Sequence, residues 1–190
     1  MVRIAVIGAG NMGGTLGRKW AAAGHAVVYG VRSPGDSGQS TVEDAVVNSE
    51  VVVLAVPGGA AKDVVRSLGP ALSGKVVVDA TNDTSSSGKL HALDELDDGA
   101  QPVRAFNTLG WESFENPIIG GQQASLFYSA EDGRPREVAE QLIRDVGLEP
   151  VWVGGVEAFD VVDSVTGLWF TLVFQRKLGR RLAFKVLRDA

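Results

Sequence analysis

The chain has 190 residues, of which 45% are hydrophobic and 22% are charged, and its formal net charge is −5 at pH 7. This length and composition are typical of one folded domain with a sizeable core, and the negative charge argues against a nucleic-acid partner. Cysteine is absent, which excludes disulfides, thiolate nucleophiles and thiolate-bound metal centres.

The N-terminal apolar run at residues 2–7 is followed by glycines and not by a cleavage signal, and no basic segment precedes it. No apolar stretch reaches the roughly 18 residues that a membrane helix needs. We therefore expect a cytoplasmic protein without a membrane partner.

A glycine loop joins the first predicted strand to the first predicted helix. The β-branched run at residues 2–7 leads into the pattern G-x-G-x-x-G at Gly8, Gly10 and Gly13, and helical spacing follows over residues 11–23. The first glycine allows a sharp turn, the second allows a diphosphate to approach the backbone, and the third allows the helix to pack close to the strand. This context predicts a dinucleotide-binding fold whose helix N-terminus faces the phosphates.

The end of the second predicted strand, residues 26–31, indicates which dinucleotide is bound. Proteins of this fold that prefer NAD usually carry a carboxylate there, whereas an arginine accommodates the 2′-phosphate of NADP. Arg32 and Ser33 follow the strand, and the first carboxylate is Asp36. We predict NADP(H) as the cofactor, with Arg32 and Ser33 contacting the 2′-phosphate; the alternative is that Arg32 is a solvated charge at a strand end.

Apolar runs alternate with helical patterns along the rest of the chain, which predicts an α/β fold with a doubly wound, mostly parallel sheet. The loops after the parallel strands then meet at one edge, where the ligand binds. The further predicted strands are 51–56, 75–79, 102–106, 126–128 and 150–153; the further helices are 41–48, 60–68, 89–96, 135–146 and one long helix from 156 to the C-terminus, with Gly167 and Gly179 as candidate breaks.

The sequence offers few candidates for acid–base catalysis. His25 follows a helix stop on the far side of the sheet, His91 falls in a predicted polar helix that we expect on the surface, and the Tyr-x-x-x-Lys pair of short-chain dehydrogenases is absent. We predict no catalytic side chain and no metal site. The absence favours hydride exchange between nicotinamide and a flavin-like ring, where the protein supplies proximity and a dry pocket.

Five motifs together resemble a known family, and the similarity extends to the ending at 168–188. They are Val2 to Gly13, Arg32-Ser33, Ala55-Val56-Pro57, Val78-Asp79-Ala80-Thr81-Asn82 and Ala105-Phe106-Asn107-Thr108. The family is that of the NADPH-dependent coenzyme F420 reductases, also called F420H2:NADP oxidoreductases, to which the ferrireductase domain of the STEAP proteins is related. The resemblance implies one Rossmann-type domain over residues 1–190 that passes a hydride between NADP(H) and coenzyme F420, a deazaflavin, by direct transfer.

The resemblance also implies roles for individual residues. Asn11 and Met12 would contact the diphosphate, and Val56 and Pro57 the ribose and nicotinamide. The reacting face would be lined by Asn82, Phe106 and Asn107. The loop over 33–41 is short, so further basic contacts to the 2′-phosphate that relatives have are expected to be missing.

The predicted helical extension at 156–190 has two interpretations. Its apolar side, from Val161 to Val173, would cover the pocket or contact a second subunit, and we expect a homodimer. Its basic residues between Arg176 and Arg188 would attract an anionic co-substrate or, as we prefer, form a solvated face near the negative end of the helix dipole.

Two other functions remain open at this point. The first is a small carbonyl or imine reductase of the 3-hydroxyacid or pyrroline carboxylate type, although those enzymes need a large second helical domain. The second is an NADPH-binding, redox-sensing module without catalysis. A reaction that needs no acid or base leaves no catalytic signature by which the sequence could exclude this module.

Overall fold

The computed structural model describes residues 1–85 and 88–189. The strands are β1 (Arg3–Ile7), β2 (Ala26–Gly30), β3 (Gln39–Ser40), β4 (Val51–Leu54), β5 (Val76–Asp79), β6 (Gln101–Arg104), β7 (Ile118–Ile119), β8 (Gln122–Gln123), β9 (Ser125–Ala130) and β10 (Glu149–Trp152). Within the described residues, eight of them form one sheet in the order β10-β9-β6-β5-β4-β1-β2-β3, and β7 and β8 form a separate hairpin. Neighbouring strands of the sheet are parallel except β6 and β9.

Helices cover both faces of this sheet. They are α1 (Asn11–Ala22), α2 (Val42–Val47), α3 (Gly58–Leu68), α4 (Trp111–Glu115), α5 (Arg134–Val146) and α6 (Phe159–Phe170). Short 3-10 turns occupy Gly69–Leu72, Leu93–Glu95 and Val156–Ala158, and a π-helical turn over Thr171–Gln175 extends α6. The prediction of a doubly wound, mostly parallel α/β fold is confirmed. No helix of the described residues has both the length and the apolar character that crossing a membrane requires.

Alternate residues of the central strands point to two separate cores. Ile4 and Val6 of β1 pack in the core that contains Trp20 of α1 and residues of α4, α5 and α6. Ala5 and Ile7 pack in the opposite core, against α2 and α3. Because both faces are covered, the strands are continuous apolar runs and do not alternate with polar residues.

The predicted helix at 89–96 is absent. The segment is irregular apart from the short turn at Leu93–Glu95, because side chains capture its first backbone donors. The Ala92 N–H donates to Asp79 Oδ2 at 2.6 Å, and the Leu93 N–H donates to His91 Nδ1 at 3.3 Å. The expectation of a surface position for His91 is also wrong, since only 1% of the residue is exposed.

The helix at the C-terminus is shorter than predicted. It ends at Gln175, and the chain then turns through Lys177 and Gly179, both of which have positive φ. The remaining residues to 189 form an extended tail that is held by a hydrogen bond of 2.8 Å from Trp169 Nε1 to the Leu182 carbonyl. The predicted helical extension over 156–190 is therefore wrong for 176–189, and residue 190 lies outside the described residues. The cations from 176 to 188 do not share a helical face. Gly167, a candidate break, lies within α6.

The strand β3 lies inside the stretch 33–40, which the sequence predicts as a loop. It contributes two residues to the edge of the sheet and pairs with the end of β2. Such a short strand carries too little hydrophobic alternation to be recognised from sequence.

Candidate functional site

A cleft of about 700 Å³ opens at the carboxyl ends of β1 and β4. Parallel α/β sheets bind ligands at this edge, where the loops diverge to opposite faces. The glycine loop forms one side of the cleft, the end of β2 another, and the loop after β4 a third. Its lining consists of Ile7, Gly8, Ala9, Gly10, Gly30, Val31, Arg32, Ser33, Val42, Ala55, Val56, Pro57, Ala60 and Val64.

Two glycines of the loop are required by close backbone packing. Gly8 has a φ of +104°, and a Cβ there would lie 2.6 Å from the carbonyl oxygen of Ala55. A Cβ at Gly13 would lie 2.0 Å from the carbonyl oxygen of Gly8 and 3.0 Å from Val6 Cγ1. Both positions therefore exclude any side chain. Gly13 allows α1 to pack tightly against β1, and Gly8 allows the loop to pack against the end of β4.

Gly10 differs from these two because it faces open space. A Cβ at this position would find no atom within 4 Å, although the glycine lines the cleft and caps α1. The helix has no side-chain cap and no acidic residue in its first turn. Its first backbone donors and the positive end of its dipole are therefore available to an anion, and a diphosphate would fit here. Asn11, which is exposed, and the half-buried Met12 form the first turn of the helix.

Arg32 and Ser33 lie exposed where β2 leaves the sheet. Across residues 1–85 and 88–189, the Arg32 guanidinium has neither an ion pair nor a hydrogen bond. The carboxylate of Asp36 instead accepts a hydrogen bond of 3.1 Å from Gln39. A guanidinium that keeps its donors free at this position suits a 2′-phosphate, to which it can donate two parallel hydrogen bonds.

The wall between α2 and α3 is aliphatic. Val42 approaches from α2, Ala60 and Val64 from α3, and Val31 from the end of β2. An apolar slot beside the phosphate-binding loop suits the flat face of a nucleotide base.

The loop after β4 connects the cleft with the next loop of the sheet. Val56 and Pro57 line the cleft, and a Cβ at the following residue, Gly58, would lie 2.2 Å from the carbonyl oxygen of Asn82. The Asn82 side chain is oriented at both ends: its Oδ1 accepts from Arg104 Nη2 at 3.0 Å, and its Nδ2 donates to the Asn107 carbonyl at 2.9 Å.

The structure places the other two residues of the predicted reacting face in the interior. The ring of Phe106 is completely buried in the core, with ring centroids 5.5 Å from Trp20 and 5.8 Å from Phe114. Its φ is +63°, and the residue is not part of the cleft lining. Asn107 is 2% exposed and donates through Nδ2 to Asp163 and Thr166 of α6.

This edge of the sheet also contains a buried ionic network that was not predicted from the sequence. Arg104, which ends β6, has no exposed side-chain surface and contacts two carboxylates, Asp163 at 2.7 Å and Asp79 at 3.4 Å. The sequence contains a signal, since apolar strands end in Asp79 and in Arg104, but the partner on α6 is 59 residues away from the arginine.

His91 lies beside this network. Its ring packs edge-on against Phe159, with centroids 5.4 Å apart, and its Nε2 has no hydrogen-bond partner among the described residues. Burial lowers the pKa of His91, the positive charge of Arg104 lowers it further, and the charges of Asp163, Asp94 and Asp79 act in the opposite direction. The imidazole is therefore neutral at pH 7.

His25 lies at the opposite edge of the sheet. Its Nδ1 accepts from the Val2 N–H at 3.2 Å, and its Nε2 lies 2.8 Å from Asp145 Oδ2. A second depression of about 360 Å³ adjoins this pair, but it is near the amino end of β1 and both ring nitrogens are engaged. No group of three or more histidine, aspartate or glutamate side chains that could hold a metal occurs in the described parts of the chain.

Solved structures share this architecture over nearly the whole chain. A protein from Arthrobacter sp. FB24, described as a candidate F420-dependent NADP reductase, is 20% identical with a TM-score of 0.81, over 99% of this chain and 100% of that one. The hypothetical protein SMa0349 from Sinorhizobium meliloti is 26% identical with a TM-score of 0.69, over 100% and 97%. Pyrroline carboxylate reductase from Plasmodium falciparum, solved with NADP bound, is 14% identical with a TM-score of 0.62, over 92% and 66%.

The glycine loop, the end of β2, the loop after β4 and the start of the loop after β5 lie within residues 3–83. These residues match the family described as NADP oxidoreductase, coenzyme F420-dependent. This part of the chain is therefore similar to that family of NADP-dependent oxidoreductases.

Proposed function

We propose that the protein transfers a hydride between NADP(H) and a deazaflavin or flavin-type acceptor, with coenzyme F420 as the first candidate. The family description names this acceptor, and the cleft suits the nucleotide. The nicotinamide ring supplies or accepts the hydride when the cofactor is bound, and the acceptor ring is its redox partner.

The observation that carries this proposal is the state of the ionisable groups near Asn82. Arg104 and Asp163 are paired with each other, Asp79 accepts from backbone donors as well as from Thr81, and His91 is buried and neutral. These side chains are engaged with one another or buried, and they lie outside the cleft lining. Hydride exchange between two heteroaromatic rings needs no such group from the protein, whereas carbonyl reduction needs an acid.

The residues of the chain would then bind and orient the cofactor. The open backbone at Gly10 and the first turn of α1 would bind the diphosphate. Arg32 and Ser33 would hold the 2′-phosphate, and Val56 and Pro57 would direct the nicotinamide toward Asn82.

The test is a mixture of the protein with NADPH and oxidised F420 or FMN. We expect the absorbance of the acceptor and of NADPH to fall together, in equal molar amounts. Tight NADPH binding without turnover of any deazaflavin or flavin would contradict the proposal and favour a redox-sensing module.

We also propose that two copies of the chain form a homodimer through the outer side of α6. Val161 and Leu168 are about half exposed and lie seven residues apart, so they share one side of the helix. Phe174 and Leu178 extend the exposed apolar surface beyond its end. Apolar surface of this kind is a common signature of a protein–protein contact.

A further inference from the structure

We propose that Asp163 is a positioning residue for hydride transfer, which acts on Asn82 through Arg104 and Asn107. The backbone carbonyl of Asn82 lies against Gly58, which directly follows the cleft residue Pro57, so the network comes within one residue of the cleft lining. The inference rests on the proposed function, because it concerns the geometry of that reaction.

Arg104 is the hub of the network. Its Nη1 donates to the carbonyl oxygens of Asp79 at 3.1 Å and Thr81 at 2.7 Å, and its Nη2 donates to Asn82 Oδ1 at 3.0 Å. The guanidinium thereby fixes both the backbone at the end of β5 and the side chain of Asn82. A planar group with donors in fixed directions is suited to this role, which a lysine could not fill.

Asp163 orients that guanidinium from α6. Its Oδ1 accepts from Arg104 Nε at 2.7 Å. The other carboxylate near the arginine, Asp79, has its oxygens occupied by donors of Thr81 and Ala92. A buried cation is tolerated only when it is paired, so the charge of Asp163 stabilises Arg104 in this position.

Asp163 acts on Asn82 by a second route. Its Oδ1 also accepts from Asn107 Nδ2 at 3.2 Å, and the same amide donates to Thr166 Oγ1 at 2.8 Å. The backbone carbonyl of Asn107 in turn accepts a hydrogen bond of 2.9 Å from Asn82 Nδ2. Both ends of the Asn82 carboxamide are thus held by residues that bind Asp163, and loss of its charge would loosen both.

Asp163→Asn keeps the shape of the side chain and removes its charge. We expect the dissociation constant for NADPH to stay within about twofold of the wild-type value, because Gly10 and Arg32 lie elsewhere in the cleft. We expect kcat for each NADPH-binding site to fall about tenfold or more, since small displacements of reacting groups are costly. Asp160→Asn, an exposed position one turn earlier on α6, is the matched control and should match the wild type.

Normalising kcat to bound NADPH separates positioning from a structural role. If Asp163 only stabilised the fold, the fraction of protein that binds NADPH would fall while kcat for each bound site stayed unchanged, and this result would overturn the inference. Thr166→Val, which removes both hydrogen bonds between Thr166 and Asn107, decides the question if Asp163→Asn does not fold. We expect it to lower kcat by a smaller factor, and an unchanged kcat would overturn the inference.

The failure of this inference can be distinguished from the failure of the proposed function. Absence of turnover in the wild type overturns both. An active wild type with an equally active Asp163→Asn variant overturns this inference alone.

Discussion

At the scale of single residues, Arg32 carries the choice of nucleotide. Arg32→Ala removes a guanidinium that has no other partner in the described structure, so its loss should not disturb the fold. We expect NADPH to bind about 10- to 100-fold more weakly, which corresponds to about 1.5 to 3 kcal/mol for hydrogen bonds to a charged group, and NADH to bind almost unchanged. Calorimetric titration with both nucleotides measures the difference. Equal losses for the two would remove the assignment.

His91 predicts a dependence of stability on pH. Because burial lowers its pKa in the folded protein, the unfolded chain binds the proton more readily than the folded one. The stability from a neutral His91 is present above the unfolded value of about 6.5 and is lost as the pH falls below it. His91→Asn keeps an acceptor for Leu93 and does not titrate, so its free energy of unfolding should depend less steeply on pH between about 7 and 5, by at most about 1.4 kcal/mol per pH unit.

Urea unfolding of both proteins at a series of pH values checks this expectation. Parallel slopes for wild type and His91→Asn would show that another group controls the dependence.

The residues of the candidate site differ in how far the sequence revealed them. Gly8, Gly10 and Gly13 could be predicted because their spacing after a strand reports a local backbone geometry, and the structure brings Arg32 and Ser33 to the same cleft. The burial of His91 and the pairing of Arg104 with Asp163 could not, because they depend on contacts between segments far apart in the chain.

At the scale of elements, the turn from β1 into α1 contains one glycine whose substitution should affect cofactor binding and one whose substitution should affect stability. Gly10→Ala adds a methyl group in open space, so the stability should change by less than about 1 kcal/mol. The methyl group would occupy the space proposed for the diphosphate, and we expect at least a tenfold loss of NADPH affinity, or about 1.4 kcal/mol.

Gly13→Ala is the contrasting variant. Its Cβ would overlap the carbonyl oxygen of Gly8, so α1 must move away from β1. We expect a loss of about 1 to 3 kcal/mol of stability together with the loss of NADPH binding. Thermal unfolding with and without NADPH distinguishes the two variants. Equal destabilisation by both would contradict the role given to Gly10.

Elements with strong periodicity were predictable and those controlled by tertiary contacts were not. The buried strand β4 and the helix α5, which ends in a left-handed Gly147, follow from local pattern and capping. The segment at 89–96 has helical composition, but the backbone N–H of Ala92 donates to the Asp79 carboxylate. The chain after 175 also has residues compatible with a helix, but it forms an extended tail that pairs with the beginning of β9 through Phe184 and Ser125.

At the scale of the whole molecule, the proposed dimer depends on the exposed side of α6. Leu168→Asp puts a charge at the centre of this apolar surface, and half of the leucine is already exposed, so the monomer should fold. We expect the protein to change from a dimer to a monomer in sedimentation measurements, because a desolvated, unpaired carboxylate is costly. Val47→Asp, at an exposed apolar position on α2, is the control. A wild-type protein that sediments as a monomer contradicts the dimer.

The parallel part of the sheet follows from the alternation of strands and helices, but the reversal at β9 does not. An apolar run reads the same in either direction, so its pattern cannot indicate that β9 and β10 oppose the other strands. The register pairs Ser129 and Ala130, at the end of β9, with Arg104 and Val103 at the end of β6. The beginning of β9 therefore extends beyond β6, at the edge of the sheet where the cleft opens. Beyond Arg104 the ladder of β6 stops, and the C-terminal tail takes its place.

The tail therefore satisfies hydrogen-bonding groups at the beginning of β9. The Ser125 N–H donates to the Phe184 carbonyl at 2.9 Å, and the Val186 N–H donates to Ser125 Oγ at 3.1 Å. A protease that cuts the exposed stretch at 176–181 would weaken the attachment of the tail and leave a strand edge free to recruit another chain. Nicked protein should consequently aggregate while intact protein stays clear, so light scattering during limited proteolysis should rise in step with loss of the C-terminal peptide.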